Sequence, residues 1–226
     1  MNAAEALPAT AASAPARTAV RLGDEVLSYR ALDRASARIA GLLIERGLQD
    51  GRHVALALPN VPAFAQAYYG VLRAGCVAVT LPALPDARVL RPLLRAAGAP
   101  LLIAWHALAE AVDASATGSG VDCVFVAPRE LPRLLSGVAP LAAVRPRADD
   151  DVATMAAGKG AVPRSHGWLR ERALAAIGEA GLGGDGVVAC EAPLWDPAAQ
   201  AGVLHAAVSA GATVALDRRP VLSGAS

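Results

Sequence analysis

Short apolar runs recur along this chain, each bounded by turn-forming residues and separated from the next by a stretch with helical spacing. Val54–Leu58 lies between Asp50-Gly51 and Pro59-Asn60, and Cys76–Leu81, Leu101–Trp105 and Cys123–Ala127 follow in order. Runs of this kind are short enough to be strands buried on both faces. Before them, Leu32, Ala35, Ile39, Leu42 and Leu43 recur at three- and four-residue spacing, Arg34, Arg38 and Glu45 fall between, and Gly47 supplies a stop. That pattern predicts an amphipathic helix with one buried face. A helix through Ala74, capped by Asn60, and another around Ala87 to Ala97 continue the alternation. Repeated strand-helix-strand order predicts an α/β fold with parallel-sheet layers covered by helices and joined by right-handed crossovers.

Val20–Leu22 and Val26–Tyr29, split by Gly23-Asp24, read as a hairpin, with Ser28 placed to cap the following helix. Residues 1–17 are rich in Ala and Pro and lack a basic start followed by an apolar block. They are expected to be a disordered leader, not a secretory signal. The polar, Pro-containing link from Val144 to Asp151 predicts a boundary near residue 147. It divides a first α/β subdomain, 18–147, from a shorter and incomplete second one, 148–226. The second contains a strand near Val152, a helix from about Ser165, a strand at Val187–Glu191, a helix, and a strand at Thr213–Leu216.

Composition narrows the function. With 226 residues, 54% of them apolar and 18% charged, the chain can stabilise a core without metals or disulfides. Its 21 basic and 20 acidic side chains are scattered, no basic run tracks a phosphate backbone, and aromatics make up only 4%. Nucleic acid is therefore excluded as a partner. Cys76, Cys123 and Cys190 are odd in number and flanked by apolar residues, which suits core packing in a reducing compartment. His53, His106, His166 and His205 show no ligand spacing, so no metal site is expected. Pro197–Leu216 carries no charge, but Pro197, Gln200, Gly202, His205, Ser209 and Gly211 interrupt it. It reads as a buried helix followed by a strand, with no membrane partner and a cytoplasmic location expected.

Two glycine motifs have spacings associated with phosphate binding. Gly181, Gly183 and Gly186 satisfy G-x-G-x-x-G, but they close a helix and precede a strand, the reverse of the dinucleotide-binding context, and read as a helix stop and turn. Gly158-Lys159-Gly160 lies after a strand and before the helix that starts near Ser165, where free amides and a cation can meet phosphate, but as three residues taken alone it reads as a surface turn. Ala153 stands where the first Walker glycine would be, so the full Walker motif is absent.

Longer phrases are more specific. Leu27-Ser28-Tyr29-Arg30-Ala31-Leu32, Ile39-Ala40, Arg46-Gly47-Leu48, Gly51-Arg52-His53-Val54-Ala55-Leu56, Leu58-Pro59-Asn60 and Tyr69-Gly70-Val71-Leu72-Arg73-Ala74-Gly75 appear in this order. Asp150-Asp151-Val152-Ala153, Arg164-Ser165-His166, Glu191-Ala192-Pro193-Leu194-Trp195 and Gly211-Ala212-Thr213-Val214 follow. Together they resemble the amino-terminal part of the adenylate-forming superfamily, which includes acyl-CoA synthetases, aryl-acid AMP ligases, luciferases and the adenylation domains of peptide synthetases. The resemblance implies the first part of the large N-terminal domain of such ligases, with the carboxy-terminal catalytic domain absent.

In that superfamily the phrases flank a phosphate loop, roughly T-S-G-T-T-G-x-P-K-G, that holds the phosphates of ATP. Here the chain between Asp151 and Lys159 is about seven residues shorter than that pattern, and Met155-Ala156-Ala157-Gly158 has no hydroxyl. Gly158, Lys159, Gly160, Ser165 and His166 are the expected remnant of the loop. Trp195 and Asp196 are the acid-pocket candidates, although Asp196 reads first as the cap of a helix starting at Pro197. The resemblance assigns no catalytic or metal-binding residue here, and ATP with magnesium is expected only if a partner completes the site. Three readings follow: a catalytically silent ligase relative, one half of a split ligase completed by a complementary subunit or by self-association, and a non-enzymatic binding or scaffold module.

Overall fold

A computed structural model describes residues 1–116, 120–128 and 130–216; the remainder of the expected second subdomain, 217–226, lies outside the described residues. The expected strands and helices appear in the expected order, with helices at Ala6–Ser13, Ala109–Ala116 and Leu131–Leu134 and a strand at Arg164–Ser165 added to them. A 3-10 turn (Ala3–Glu5) leads into α1 (Ala6–Ser13), the hairpin β1 (Thr18–Leu22) and β2 (Glu25–Ser28), α2 (Tyr29–Glu45), β3 (His53–Ala57), α3 (Pro62–Arg73) and β4 (Val77–Thr80). Next come α4 (Ala87–Ala97), β5 (Leu101–Trp105), α5 (Ala109–Ala116), β6 (Asp122–Val126) and α6 (Leu131–Leu134). The chain continues through β7 (Val152–Ala156), β8 (Arg164–Ser165), α7 (His166–Ala180) and β9 (Val187–Cys190). A composite helix of α8 (Pro197–Ala199), a π-helical stretch (Gln200–His205) and α9 (Ala206–Ala210) precedes β10 (Thr213–Leu216).

Among the described residues the strands form a six-stranded sheet, β6-β5-β3-β4-β7-β8, and a four-stranded sheet, β2-β1-β10-β9. All pairings are parallel except β1 with β2 and β7 with β8. The fold is thus α/β, as the alternation predicts. Period-two side-chain placement explains the apolar runs: Val54 and Leu56 of β3 face one core, while Ala55 and Ala57 face a second core with Leu90, Leu94 and Val112.

Neither sheet respects the expected boundary near residue 147. β7 and β8 join β3–β6 in one sheet, and β9 and β10 join the amino-terminal hairpin in the other. Strand partners are selected by shared burial and not by proximity in sequence, so the linker marks a loop between layers.

The expected disordered leader is likewise replaced by ordered structure. Asn2 is buried, with its side-chain amide donating to the carbonyls of Leu72 and Arg145 at 2.8 Å each. Leu7 is buried with Ala3 and Ala4, and the Thr10 hydroxyl donates to the Val208 carbonyl at 2.8 Å. Alanines bring little side-chain entropy to lose, so a short apolar helix can dock tightly where its small side chains meet a preformed groove.

α3 is the central helix, buried on nearly all sides through Phe64, Ala65, Ala67, Tyr68, Tyr69, Val71 and Leu72. It packs against α2 with Gly70 beneath Ile39: a Cβ at position 70 would lie 2.5 Å from Ile39 Cγ2 and 2.6 Å from its Cβ. α3 is not capped by Asn60 as expected; Val61 occupies the cap position and Pro62 the first turn. Asn60 instead bridges to the segment after β9, donating to the Ala192 carbonyl at 2.9 Å and accepting from the Leu194 amide at 2.8 Å.

Candidate functional site

The Gly158-Lys159-Gly160 turn is the tip of the β7–β8 hairpin. β7 is held beside β4 in register Ala78 with Thr154, Val79 with Met155 and Thr80 with Ala156, and the Ala157 amide extends the ladder to the Thr80 carbonyl at 2.8 Å. Gly158 and Gly160 then adopt φ of 136° and 77°, conformations that side-chain-bearing residues avoid, and the chain reverses. β8 returns antiparallel to β7, and Ser165 opens α7.

Opposite this tip lies the start of α8. Residues 156–162, Arg164 and Asp196–Ala198 enclose a cavity of about 220 Å3. Small-molecule sites commonly span ~300–1,000 Å3, so this cavity alone is small for a nucleotide. The structure therefore brings Gly158, Lys159, Gly160 and Asp196 together. Asp196 also serves as the helix cap, its Oδ1 accepting from the Ala198 amide at 2.9 Å. Lys159, the chain's only lysine, is exposed at the tip.

The other expected remnant residues are elsewhere. The Ser165 hydroxyl is oriented to α7, accepting from the Trp168 amide at 3.1 Å. His166 is fully buried, and its Nδ1 accepts from the Ala3 amide at 3.1 Å. Burial pushes its pKa down to about 4, with the nearby Arg147 guanidinium adding to the effect. Neither residue lines the cavity, because the cap and the docked amino terminus claim their side chains. Trp195 is half-buried outside the cavity wall and is anchored through its backbone, its carbonyl accepting from the Thr80 hydroxyl at 2.6 Å.

Beneath the cavity a buried polar network joins the sheet to the composite helix. Gln200 Nε2 donates to the Leu194 carbonyl at 2.9 Å and lies 3.4 Å from the Thr80 hydroxyl, while its Oε1 accepts from the Thr154 hydroxyl at 2.8 Å. Deeper, His205 lies between two tyrosines, Nε2 3.1 Å from the Tyr68 hydroxyl and Nδ1 3.3 Å from that of Tyr69. A neutral ring satisfies both, one nitrogen donating and the other accepting. Burial pushes the His205 pKa down to about 3.

Sequence reasoning missed Arg164 as a wall residue of the cavity. Its guanidinium lies 4.4 Å from the Trp168 ring centroid, and the two are four residues apart at the entry to α7, a spacing that could have suggested the contact. The cysteines match the core reading: Cys76 and Cys190 are buried, and burial pushes their thiols up to about 12 and about 11. Among the described residues no cluster of His, Cys, Asp or Glu is arranged to hold a metal, and no helix is long and apolar enough to cross a membrane.

The family described as AMP-binding enzyme matches residues 7–224. The feruloyl-CoA synthase of Amycolatopsis sp. is 31% identical over 215 residues, which is 89% of this chain and 41% of that protein. The medium/long-chain-fatty-acid–CoA ligase FadD6 of Mycobacterium tuberculosis is 28% identical over 215 residues, again 89% of this chain and 36% of the relative. The chain thus spans well under half the length of these relatives. In fold it is similar to a benzoate CoA ligase from Burkholderia xenovorans LB400, with a TM-score of 0.84 at 23% identity, over 97% of this chain and 46% of that one. The match across residues 7–224, nearly the whole length, leads to one conclusion: the chain belongs to the AMP-binding enzyme family.

Proposed function

We propose that this chain is ligase-like in architecture, being part of the acid-activating fold of an AMP-forming ligase, but by itself silent in adenylation. The observation that supports this is where the hydroxyls go around the hairpin tip. From Ala156 to Pro163 the only side chain able to make a charged contact is Lys159. The hydroxyls at either end are already engaged, Thr154 with Ala78 and Gln200, and Ser165 with the Trp168 amide.

Hydrogen bonds to charged groups contribute about 1.5–3 kcal/mol each. Two missing donors thus weaken phosphate binding by roughly two to four powers of ten. A lone flexible ammonium supplies charge without the oriented donors that phosphoryl transfer requires. The residues present do not form a phosphate cradle. ATP with magnesium is the cofactor of this reading only where further residues, from a longer chain or a complementary subunit, supply those donors.

The test is acid-dependent exchange of pyrophosphate into ATP by the purified chain, with magnesium and a panel of aliphatic and aromatic carboxylic acids. The expected outcome is exchange at the level of the protein-free control. Robust exchange dependent on one acid overturns the proposal.

A further inference from the structure

Three arginines converge on a cavity at the amino-terminal end of the strands of the six-stranded sheet. Arg52 immediately precedes β3, and Arg91 and Arg95 stand one helical turn apart on α4. All three line a cavity of about 520 Å3 whose wall also includes Leu94, Ala99 and Pro100. The cavity opens beside the amino ends of β3 and β5, whereas the Lys159 tip follows the carboxyl end of β7. Because β3, β4, β5 and β7 run parallel, these two places lie at opposite ends of the strands.

The volume lies within the ~300–1,000 Å3 typical of small-molecule sites. No Asp or Glu is in its wall among the described residues. One arginine has an ordinary structural role open to it: Arg95 is in the last turn of α4, where a cation stabilises the carbonyl end of the helix. That role does not extend to Arg52, which comes from a different element. Arg91 is held in place by donating from Nη2 to the Ala114 carbonyl of α5. This contact uses one of the five donors of a guanidinium, leaving the others to a ligand.

We propose that this cavity binds a small phosphate-bearing anion carrying at least two negative charges, at a site separate from the hairpin tip. Planar guanidinium forks match phosphate oxygens in pairs, and three of them from two elements around one concavity supply charge and geometry together. The phosphate can be inorganic or the terminal group of a small metabolite. A chain with a formal net charge of only +1 has no general attraction for anions, so binding here is local to the cluster.

Isothermal titration at fixed ionic strength tests this with three probes: inorganic pyrophosphate, glycerol phosphate and sulfate. Saturable one-site binding of at least one phosphate probe is expected, tighter than sulfate. In R91Q/R95Q the affinity should fall by about a hundredfold or more, and in R52Q by about tenfold, from the loss of charged hydrogen bonds. Lys159→Gln should leave it unchanged. All three arginines are exposed, so the variants should keep the circular dichroism of the parent. R91Q/R95Q should melt somewhat lower, having lost the contact with Ala114 and the charge at the end of α4, and if it does not fold, R52Q decides. Absence of saturable binding, binding undiminished in R91Q/R95Q or in R52Q, equal affinity for sulfate, or loss of binding in Lys159→Gln each overturns the proposal. Pyrophosphate binding without glycerol phosphate binding would mark an inorganic ligand, and binding of both a metabolite's terminal phosphate.

Discussion

The Arg73 guanidinium donates to the Asp33 carboxylate at 2.5 Å from a position only 3% exposed. It also donates to the carbonyls of Leu141 and Ala142 at 2.9 and 2.7 Å and to the Ser36 hydroxyl at 3.1 Å. One side chain therefore fastens α2, α3 and the linker that leads to β7. Arg73 is buried but the Asp33 side chain is 25% exposed, so removing Arg73 leaves a partly solvated charge and two carbonyls without their donor, a loss of about 2–3 kcal/mol. Arg73→Met should lower unfolding stability by that amount, and Arg73→Lys should recover only part of it, because an ammonium cannot reproduce the fork. Urea denaturation of the three proteins measures this, and a change below about 1 kcal/mol for Arg73→Met would show the clamp to be dispensable.

The contact of Gly70 with Ile39 gives a second expectation. A Cβ at position 70 overlaps the Ile39 side chain and approaches the Ser36 carbonyl at 3.2 Å, so α2 and α3 must separate to admit it. Gly70→Ala should destabilise the fold by about 1–3 kcal/mol, despite the higher helix propensity of alanine. Ile39→Ala in the same chain removes the Cγ2 overlap but keeps the Cβ that lies 2.6 Å from the added methyl, so it should recover only a minor part of the loss. A double-mutant cycle read by thermal unfolding checks the coupling, and strictly additive effects would contradict it.

The buried histidines set a pH dependence. In the fold, His166 and His205 have pKa values pushed down to about 4 and about 3 by burial, from 6.5 for the free side chain. Below pH 6.5 the unfolded chain takes up protons that the folded chain refuses, so stability is full above that pH and falls as acid is added. Each histidine contributes a slope of up to about 1.4 kcal/mol per pH unit until its folded pKa is reached. Between pH 6.5 and 5, above the range where most carboxylates titrate, the urea midpoint should fall steadily. His166→Gln and His205→Gln should each flatten that fall by about half, whatever they do to stability at pH 7.5. A midpoint constant across this window would refute the assignment.

Much of the fold was legible in the sequence because its cause is local. The α4 helix and the β5 and β10 strands run as their patterns predict, and Ser28, Ser165 and Asp196 cap the helices they precede. Buried strands announce themselves by unbroken apolarity, and caps by a short polar side chain just before a helical pattern. The candidate site was less legible. Gly158, Lys159, Gly160 and Asp196 do meet at one cavity, but Ser165 and His166 are turned away from it and Arg164 is in its wall.

By itself, the sequence determined the order of the main strands and helices, the α/β class and the lack of hydroxyls across the hairpin tip, since each depends on residues that are neighbours in the chain. Tertiary structure alone decided the rest. It paired strands from both sides of residue 147, folded the amino terminus onto Leu72, Arg145 and His166, sent Asn60 to Ala192 and Leu194, and drew three arginines to one cavity. The physical reason is common to all of these. A buried polar group takes whichever partner the packed core leaves within reach, and that partner can stand more than a hundred residues away in the chain.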